Sequence, residues 1–282
     1  MEEVSLGKAV WRRFRRSKPA MAGLAVLLLL CAMALLAPHL ATHPYDDMHT
    51  EDRFHRPAAE YPLGTDHLGR DIWSRIVWGS RISLSVGFLS AALAVSAGTL
   101  VGAVAGYYGG WVDVVVSRAV ETVIAIPLFF LLITIVAVVH RSVFDIVLII
   151  GLSTWPRVVR IVRGEFLKLK ARDFAEASRA LGATDARIIW RQILPNAIAP
   201  VIVAATLLIG QAILTESALS FLGFGVPPPF PSWGSMVSSG KDYLRDSPWI
   251  ALAPGAFIFI TVISFNFVGD GLRDALDPKL KR

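Results

Sequence analysis

The sequence predicts an all-α integral membrane protein with six transmembrane helices. Three observations carry that prediction. The 282-residue chain is 54% hydrophobic and 18% charged, with a mean hydropathy of +0.56, whereas a soluble domain carries about 25% charged residues. Long uncharged apolar runs recur along it, where a β-barrel would show ~10-residue alternating segments. The basic residues, which give a formal net charge of +6 and a pI near 9.7, gather in alternate connecting segments. Such a composition also excludes disorder, because disordered chains are poor in apolar residues. The single cysteine, Cys31, excludes an intramolecular disulfide and a cysteine-based zinc site. Its place in an apolar run reads as a small hydrophobe.

A helix needs ~20 apolar residues to cross about 30 Å of hydrocarbon. Four runs meet that requirement without charges: Ala20–Leu40, Ile82–Tyr107, Ala197–Leu222 and Trp249–Val268. Two more contain interruptions: Asp113–Val139, with Glu121 and Pro127, and Val143–Val162, with Asp145, Pro156, Arg157 and Arg160. The first run follows Lys8, Arg12, Arg13, Arg15, Arg16 and Lys18, as a secretory signal would. It exceeds a usual signal core, and Pro38-His39-Leu40 makes a poor cleavage site, so it reads as a retained anchor.

Basic residues set the orientation. With six spans, the N-terminal cluster, the Arg163–Arg191 loop and the tail (Arg273, Lys279, Lys281, Arg282) share one side. The opposite connections are poorer in Lys and Arg for their length. Both termini therefore face the cytoplasm, and the net charge reflects topology rather than nucleic-acid binding. The organisation expected is a basic cytoplasmic tail over 1–19, a first span over 20–40 and an external loop with an interface helix over 41–81. A transmembrane core over 82–268 follows, with an inner loop at 163–194 and an outer loop at 223–248, then a cytoplasmic tail over 269–282. The other connections are short: Gly109-Gly110 inside and His140-Arg141-Ser142 outside.

The inner loop is the most informative segment. Asp173 is placed to cap a helix, with Glu176 three residues on as a capping-box partner. Phe174, Ala177, Ser178 and Leu181 fall on one face of that helix. Gly182 permits a left-handed C-terminal cap, Thr184 or Asp185 caps a second helix, and Pro195 breaks or starts a helix at the membrane entrance. Physics alone leaves two destinations for the exposed apolar face: the lipid headgroups or a groove on a soluble partner.

Here the sequence resembles the permease subunits of binding-protein-dependent ABC importers. Their pattern is Glu-Ala-Ala, three residues, Gly, nine residues, then Ile-x-Leu-Pro; this chain has Glu176, Ala177, Gly182, Leu194 and Pro195 at those spacings. Ser178 replaces the second Ala, and Gln192 takes the Ile position. The resemblance implies that the helix near Glu176 is a coupling helix seated on an ATPase subunit, with Phe174, Glu176, Ala177, Ser178, Leu181, Gly182, Leu194 and Pro195 as its coupling residues. Leu63-Gly64-Thr65-Asp66, Gly69-Arg70-Asp71, Leu219–Gly223, Pro231-Ser232-Trp233-Gly234 and Gly269–Pro278 are similar to the C-type subunit of dipeptide, oligopeptide and nickel importers. The match runs from about residue 60 onward; residues 1–59 match only as a basic tail, a span and the start of a loop. It implies a type I importer fold and these partners: a second homologous permease, two ATPase subunits or domains, an external solute-binding protein and the bilayer. It also implies location in a bacterial or archaeal cytoplasmic membrane and peptides as cargo, with nickel, glutathione or another small solute as the alternative.

No Gly-x-x-x-x-Gly-Lys-Ser/Thr loop occurs, so ATP hydrolysis is not expected of this chain. It is expected to need no cofactor of its own, with Mg-ATP bound by the partner ATPases. The mechanism expected is alternating access, with the docked helix as a rigid lever and no covalent chemistry. Charges within spans mark candidate path residues. Glu121 has Arg118 three residues before it, favouring a local ion pair. Glu216 lies about 32 Å beyond Pro195 along a helix, at the outer mouth. It either meets substrate, gate or partner, or hydrogen-bonds the nearby 215–225 turn. Leu68, Ile72, Ile76 and Val77 share a face of the expected interface helix, and the prolines after Val226 suggest stiff extended backbone serving as a scoop or spacer. His39, His43, His49, His55 and His67 show no fixed ligand spacing, so no metal site is expected. Two rivals are a proton-coupled secondary transporter using Glu121 or Glu216, which would usually show an internal repeat, and an intramembrane enzyme, which would need a catalytic constellation at membrane depth.

Overall fold

The structure, a computed structural model, describes residues 6–138 and 142–277. Of the expected outer connection, His140 and Arg141 lie outside the described residues, as do Lys279, Lys281 and Arg282 of the tail. The described regular structure is helical. A short basic helix α1 (Leu6–Phe14) leads into α2 (Lys18–Leu35), whose first turn is capped by Ser17. After α3 (Ala37–Leu40) an irregular segment containing a 3₁₀ turn (Thr50–Asp52) reaches α4 (Ile72–Tyr108). Asp71 caps α4, accepting from the amides of Trp73 and Ser74 at 3.2 and 3.0 Å.

The separate interface helix expected before Ile82 does not exist. No proline or cap interrupts residues 72–108, so the interface segment and the second span form one 37-residue helix. Arg81 ends the apolar run in the sequence but not the helix: it is exposed, 5.2 Å from the Trp78 ring centre, while the earlier Arg75 is buried and donates to the Tyr45 carbonyl at 3.2 Å. Ile72, Ile76 and Val77 are fully buried together, as their shared face suggested, while Leu68 lies in the turn before the helix.

The third expected span is also not straight. Helices α5 (Gly110–Ala125) and α6 (Leu128–Val138) meet at an 85° bend. Pro127 has no N–H to continue the ladder, and it forces Ile126 into extended backbone (φ −83°, ψ 124°). Helix α7 (Val143–Leu169) starts with a capping box, in which Ser142 and Asp145 each bind the other's backbone N–H. Beyond it lie α8 (Asp173–Ala180), the single turn α9 (Asp185–Arg187), a π-helical stretch (Ile188–Ile193) and α10 (Leu194–Phe221). Pro195 stands in the first turn of α10, as expected of a residue that starts a helix, although residues 185–221 run on as one helical segment through the π stretch before it. The π-turn, in which Leu194 N–H bonds the Ile189 carbonyl, shifts the ladder just before the proline's missing donor. The chain ends with α11 (Trp233–Gly240), a 3₁₀ turn (Lys241–Tyr243) and α12 (Trp249–Leu276). Between α10 and α11 the prolines form a turn at residues 228–229, with a cis Pro228–Pro229 bond, instead of an extended rod.

Among the described residues, four helical segments are long and apolar enough to cross a membrane: Lys18–Leu35, Ile72–Tyr108, Asp185–Phe221 and Trp249–Leu276. The bent α5–α6 pair passes the same length and apolarity test when its two helices are taken together, as a broken span or a re-entrant loop. Helix α7 occupies the sixth expected position with 27 residues, and its charges, including Asp145, Arg157, Arg160 and Arg163, set it apart from the others. Much of the exterior is apolar: Leu29 is 70% and Phe259 64% exposed. Apolar exposure on this scale marks a surface that meets lipid or another protein rather than water.

The tightest seam runs between α4 and α7. Gly98, Gly102 and Gly106 form a stripe at four-residue spacing, and added Cβ atoms there would meet Val158 Cβ at 2.5 Å, the Val159 carbonyl at 2.9 Å and Phe166 Cβ at 2.6 Å. Small residues at this spacing let two helix backbones approach closely in lipid. Helix α12 packs on both α2 and α10, and Arg13 reaches the Asp277 carbonyl. The described chain ends therefore lie at the same end of the bundle as α8. The 41–71 and 222–248 segments lie at the other.

Candidate functional site

Helix α8 begins differently from its expected capping box. Arg172, not Asp173, is the N-cap, and its carbonyl accepts from the amides of Ala175 and Glu176 at 2.9 and 3.2 Å. No side chain caps the start; Asp173 is instead the first helical residue, where its charge meets the positive end of the helix dipole. The far end follows expectation. Gly182 has φ +79°, Gly182 N–H bonds the Arg179 carbonyl at 3.0 Å, and Ala183 N–H reaches the Ser178 carbonyl at 3.0 Å. This is a left-handed glycine cap. Thr184 then caps α9 by accepting from Arg187 N–H at 3.4 Å.

Ala175 is the fully buried side of α8, and the helix rests there on the π-turn. The predicted apolar face points away from the chain: Phe174 is 37% and Leu181 88% exposed, and Glu176 and Ala177 are exposed beside them. Ser178 donates back to the Phe174 carbonyl at 2.8 Å. Leu194 and Pro195 are set apart from this face, in the first turn of α10, as the continuous helix requires.

What the sequence reading missed is the fastening of this segment. Tyr107, in the last turn of α4, donates its hydroxyl to Asp185 Oδ1 at 2.6 Å. The Arg179 guanidinium lies 5.9 Å from the Tyr107 ring centre, and Lys170 Nζ donates to the Tyr107 carbonyl at 3.3 Å. One residue thus binds the turn before α8, α8 itself and the start of α9. A polar-tipped aromatic at the end of a span, just before Gly109-Gly110, was the available signal. A bidentate pair between Arg163 and Asp113, with Nη2 to Oδ2 at 2.6 Å, joins α7 to α5 nearby.

The two acidic path candidates are not brought together. Glu121 takes a hydrogen bond from Arg118 Nη1 at 3.0 Å, with both side chains exposed. Glu216 is fully buried at the far end of α10. Its Oε1 accepts from Ser220 Oγ at 2.7 Å and Ser232 Oγ at 2.8 Å, side chains rather than the turn's backbone. Its Oε2 has no hydrogen-bond partner among the described residues. Ser232 opens α11, and the next residue, Trp233, is fully buried, with its indole on the Ile76 carbonyl at 3.1 Å and its backbone N–H on Ser83 Oγ at 3.0 Å.

At this same end, Asp66 gathers two arginines: Arg70 through Nε and Nη2 at 2.7 Å each, and Arg75 at 3.8 Å. Burial pushes the Asp66 carboxyl up, but the Arg70 hydrogen bond and both guanidinium charges outweigh it and hold it below the usual carboxylate range. The histidines are dispersed: His43 and His55 pack on Tyr61, and His67 stacks on Tyr243. Among the described residues no three metal-ligating side chains converge.

Comparison with known proteins extends this picture. Residues 98–282 match the family of binding-protein-dependent transport system inner membrane components. Residues 5–57 match the N-terminal transmembrane domain of oligopeptide transport permease C, so the likeness also reaches the part of the chain where the motifs are sparse. A dipeptide transport system permease protein of Alkalihalophilus pseudofirmus is 41% identical, over 99% of this chain and 91% of its own length. A glutathione transport system permease protein of Pectobacterium atrosepticum is 40% identical over 96% and 90%. An oligopeptide transport system permease protein of Bacillus subtilis is 39% identical over 100% and 92%. In fold, the chain is similar to an inward-facing form of the MetNI methionine ABC transporter, with a TM-score of 0.60 and 21% identity, covering 72% of this chain and 97% of that one.

Proposed function

The chain belongs to the family of binding-protein-dependent transport system inner membrane components, and from that premise we propose that it carries short peptides inward, driven by partner ATPases through α8. As a membrane permease subunit it forms part of a translocation path. A second homologous permease completes that path, two ATPase subunits or domains hold Mg-ATP, and an external solute-binding protein delivers the cargo. The α8 end of the bundle, with both chain ends, faces the cytoplasm, and the α11 end faces outward.

The observation that carries this reading is the geometry of α8. Its apolar face, Phe174 and Leu181, is uncovered, while its opposite side is fastened through Ala175, Arg179 and Tyr107 to α4 and to the helix continuing into α10. A soluble ATPase gripping that face would move the α4, α7 and α10 ends as one body, because the glycine seam locks α4 to α7. Alternating access needs such a lever. The cargo follows from the full-length similarity to dipeptide, oligopeptide and glutathione permeases. Glutathione is itself a small peptide, so that alternative stays within one chemical class, whereas nickel or another small solute would not.

The test is reconstitution of the chain with its partner permease, ATPases and binding protein in liposomes, measuring entry of a radiolabelled dipeptide. Entry should require external binding protein and internal ATP. Uptake that persists without the ATPases would overturn the proposal.

A further inference from the structure

A cavity of about 370 Å³ opens at the α11 end, between the turn before α4, the proline turn after α10 and one face of α11. Its charged lining is one-sided. His67, Arg70 and Arg75 contribute to its wall, opposite Pro227–Phe230 and the serines of α11, and among the described residues no carboxylate lines it. Asp66 sits behind the two guanidiniums and uses Arg70 Nε and Nη2 and Arg75 Nε. Arg75 Nη1 is taken by the Tyr45 carbonyl. Arg70 Nη1 and Arg75 Nη2 make no hydrogen bond within the described residues, and His67 Nδ1 is buried without a partner. Asp46 also acts electrostatically on Arg75, and Arg53 on His67, so the charges behind the wall are not Asp66 alone; the groups that face this space of side-chain dimensions are the half-buried Arg70 and the buried Arg75.

We propose that this cavity receives the C-terminal carboxylate of the transported peptide, with Arg70 and Arg75 as its binding groups. The inference rests on the reading of peptides as cargo. A guanidinium presents paired N–H donors that match a carboxylate, and charge-assisted bonds of this kind are about twice as strong as neutral ones. Dipeptides, oligopeptides and glutathione differ in length and side chains but share a free carboxylate end. A pocket for that group alone, walled by proline and serine, tolerates any residue sequence behind it.

The experiment compares the dipeptide Ala-Phe with its C-terminal amide in the reconstituted complex, each presented on saturating binding protein. The binding protein is identical for every permease variant, so its own preference cancels in the ratio of the two uptake rates. Arg70→Gln should lower the acid-to-amide uptake ratio about tenfold from the wild-type value. Because Arg70 also holds Asp66, Ser238→Glu serves as the second variant: Ser238 is a half-buried cavity-wall residue, and a carboxylate there should repel the acid and spare the amide. Ratios equal to wild type in both variants would overturn the assignment. So would an equal fall for acid and amide accompanied by a higher half-saturating concentration of binding protein, which would make the cavity a seat for an acidic side chain of that protein. Absence of dipeptide uptake by the wild-type complex would instead sink the reading of the cargo, and the two failures are thereby separate.

Discussion

Ser232 donates its hydroxyl to Oε1 of Glu216 at 2.8 Å, joining residues sixteen positions apart. The bond seats the start of α11 on the last turns of α10. The seat is close: a Cβ added to Gly234 would lie 2.5 Å from Ser217 Cα and 3.0 Å from Glu216 Oε2. Trp233, fully buried between them and α4, then ties the same turn to Ile76 and Ser83. Glu216 therefore sits where three elements of the α11 end meet. Glu216→Gln keeps an oxygen for both serines and should melt within about 1 kcal/mol of wild type. Glu216→Ala leaves the hydroxyls of Ser220 and Ser232 without their acceptor and opens a gap, and should cost about 1–3 kcal/mol. Thermal melting of the purified complex in detergent reads the difference. Equal melting of the Ala variant and wild type would mean that the contact contributes nothing to the seat.

Gly182 holds φ +79° at the end of α8, a conformation that proline cannot adopt because its ring fixes φ near −65°. Gly182→Pro also removes the N–H that bonds the Arg179 carbonyl. No Cβ contact is threatened there, since nothing lies within 4 Å of the position, so the rest of the bundle should assemble. The expected outcome is normal membrane insertion, retained ATP hydrolysis by the complex, and peptide uptake lowered at least tenfold. Insertion is read by membrane-fraction immunoblotting and coupling by uptake per ATP hydrolysed. A wild-type ratio would remove the case for α8 as a lever.

The apolar runs located α2, α10 and α12 to within a turn or two, because lipid imposes length and apolarity on a segment regardless of its neighbours. Where a charge is answered by another part of the chain, that logic fails. Arg81 ended the apparent second span in the sequence and Arg75 stands before it, yet Arg81 is exposed beside Trp78, the Tyr45 carbonyl and Asp66 accommodate Arg75, and α4 runs ten residues further toward its N-terminus than the apolar run. Pro127 was visible, but the 85° bend it permits depends on what α5 and α6 pack against. Gly98, Gly102 and Gly106 were legible as a spacing, and only the fold shows α7 lying on them. In the coupling segment the glycine cap and the exposed face of Phe174 and Leu181 followed from local periodicity. Tyr107 showed only as a polar-tipped aromatic at a span end, and its partner did not show at all, because a contact across 78 residues leaves no local pattern.

Tyr107 offers the cleanest test of the fastening. Tyr107→Phe keeps the ring under Arg179 and removes only the hydroxyl that bonds Asp185. A single such bond is worth about 1 kcal/mol, too little to unfold the bundle. The variant should melt close to wild type while uptake per ATP falls a few-fold, because α8 and α9 then move partly independently of α4. The mirror variant, Asp185→Asn, retains an oxygen acceptor and should keep coupling nearer wild type. If Tyr107→Phe leaves uptake per ATP unchanged, motion passes to the spans by the π-turn alone.

The Asp66 cluster should confer acid sensitivity on the α11 end. An unfolded aspartate titrates near about 3.9, and in the folded chain Arg70 and Arg75 hold Asp66 below its ordinary value. A carboxyl whose folded pKa is depressed contributes stability that is fully present above the unfolded pKa and is lost as pH falls through the folded one. Melting of the wild type should therefore gain nothing from this group between about pH 5 and pH 7, and lose its contribution below about pH 4. Asp66→Asn leaves the half-buried Arg70 and the buried Arg75 without their carboxylate, which should cost about 3 kcal/mol at pH 7. Since protonation of Asp66 does the same to the wild type, the gap between the two proteins should shrink steadily as pH falls from about 5 to about 3. Melting curves of both at pH 7, 5, 4 and 3 read that gap directly, and a gap of constant size across the range would mean that the charge of Asp66 is not what holds the two arginines.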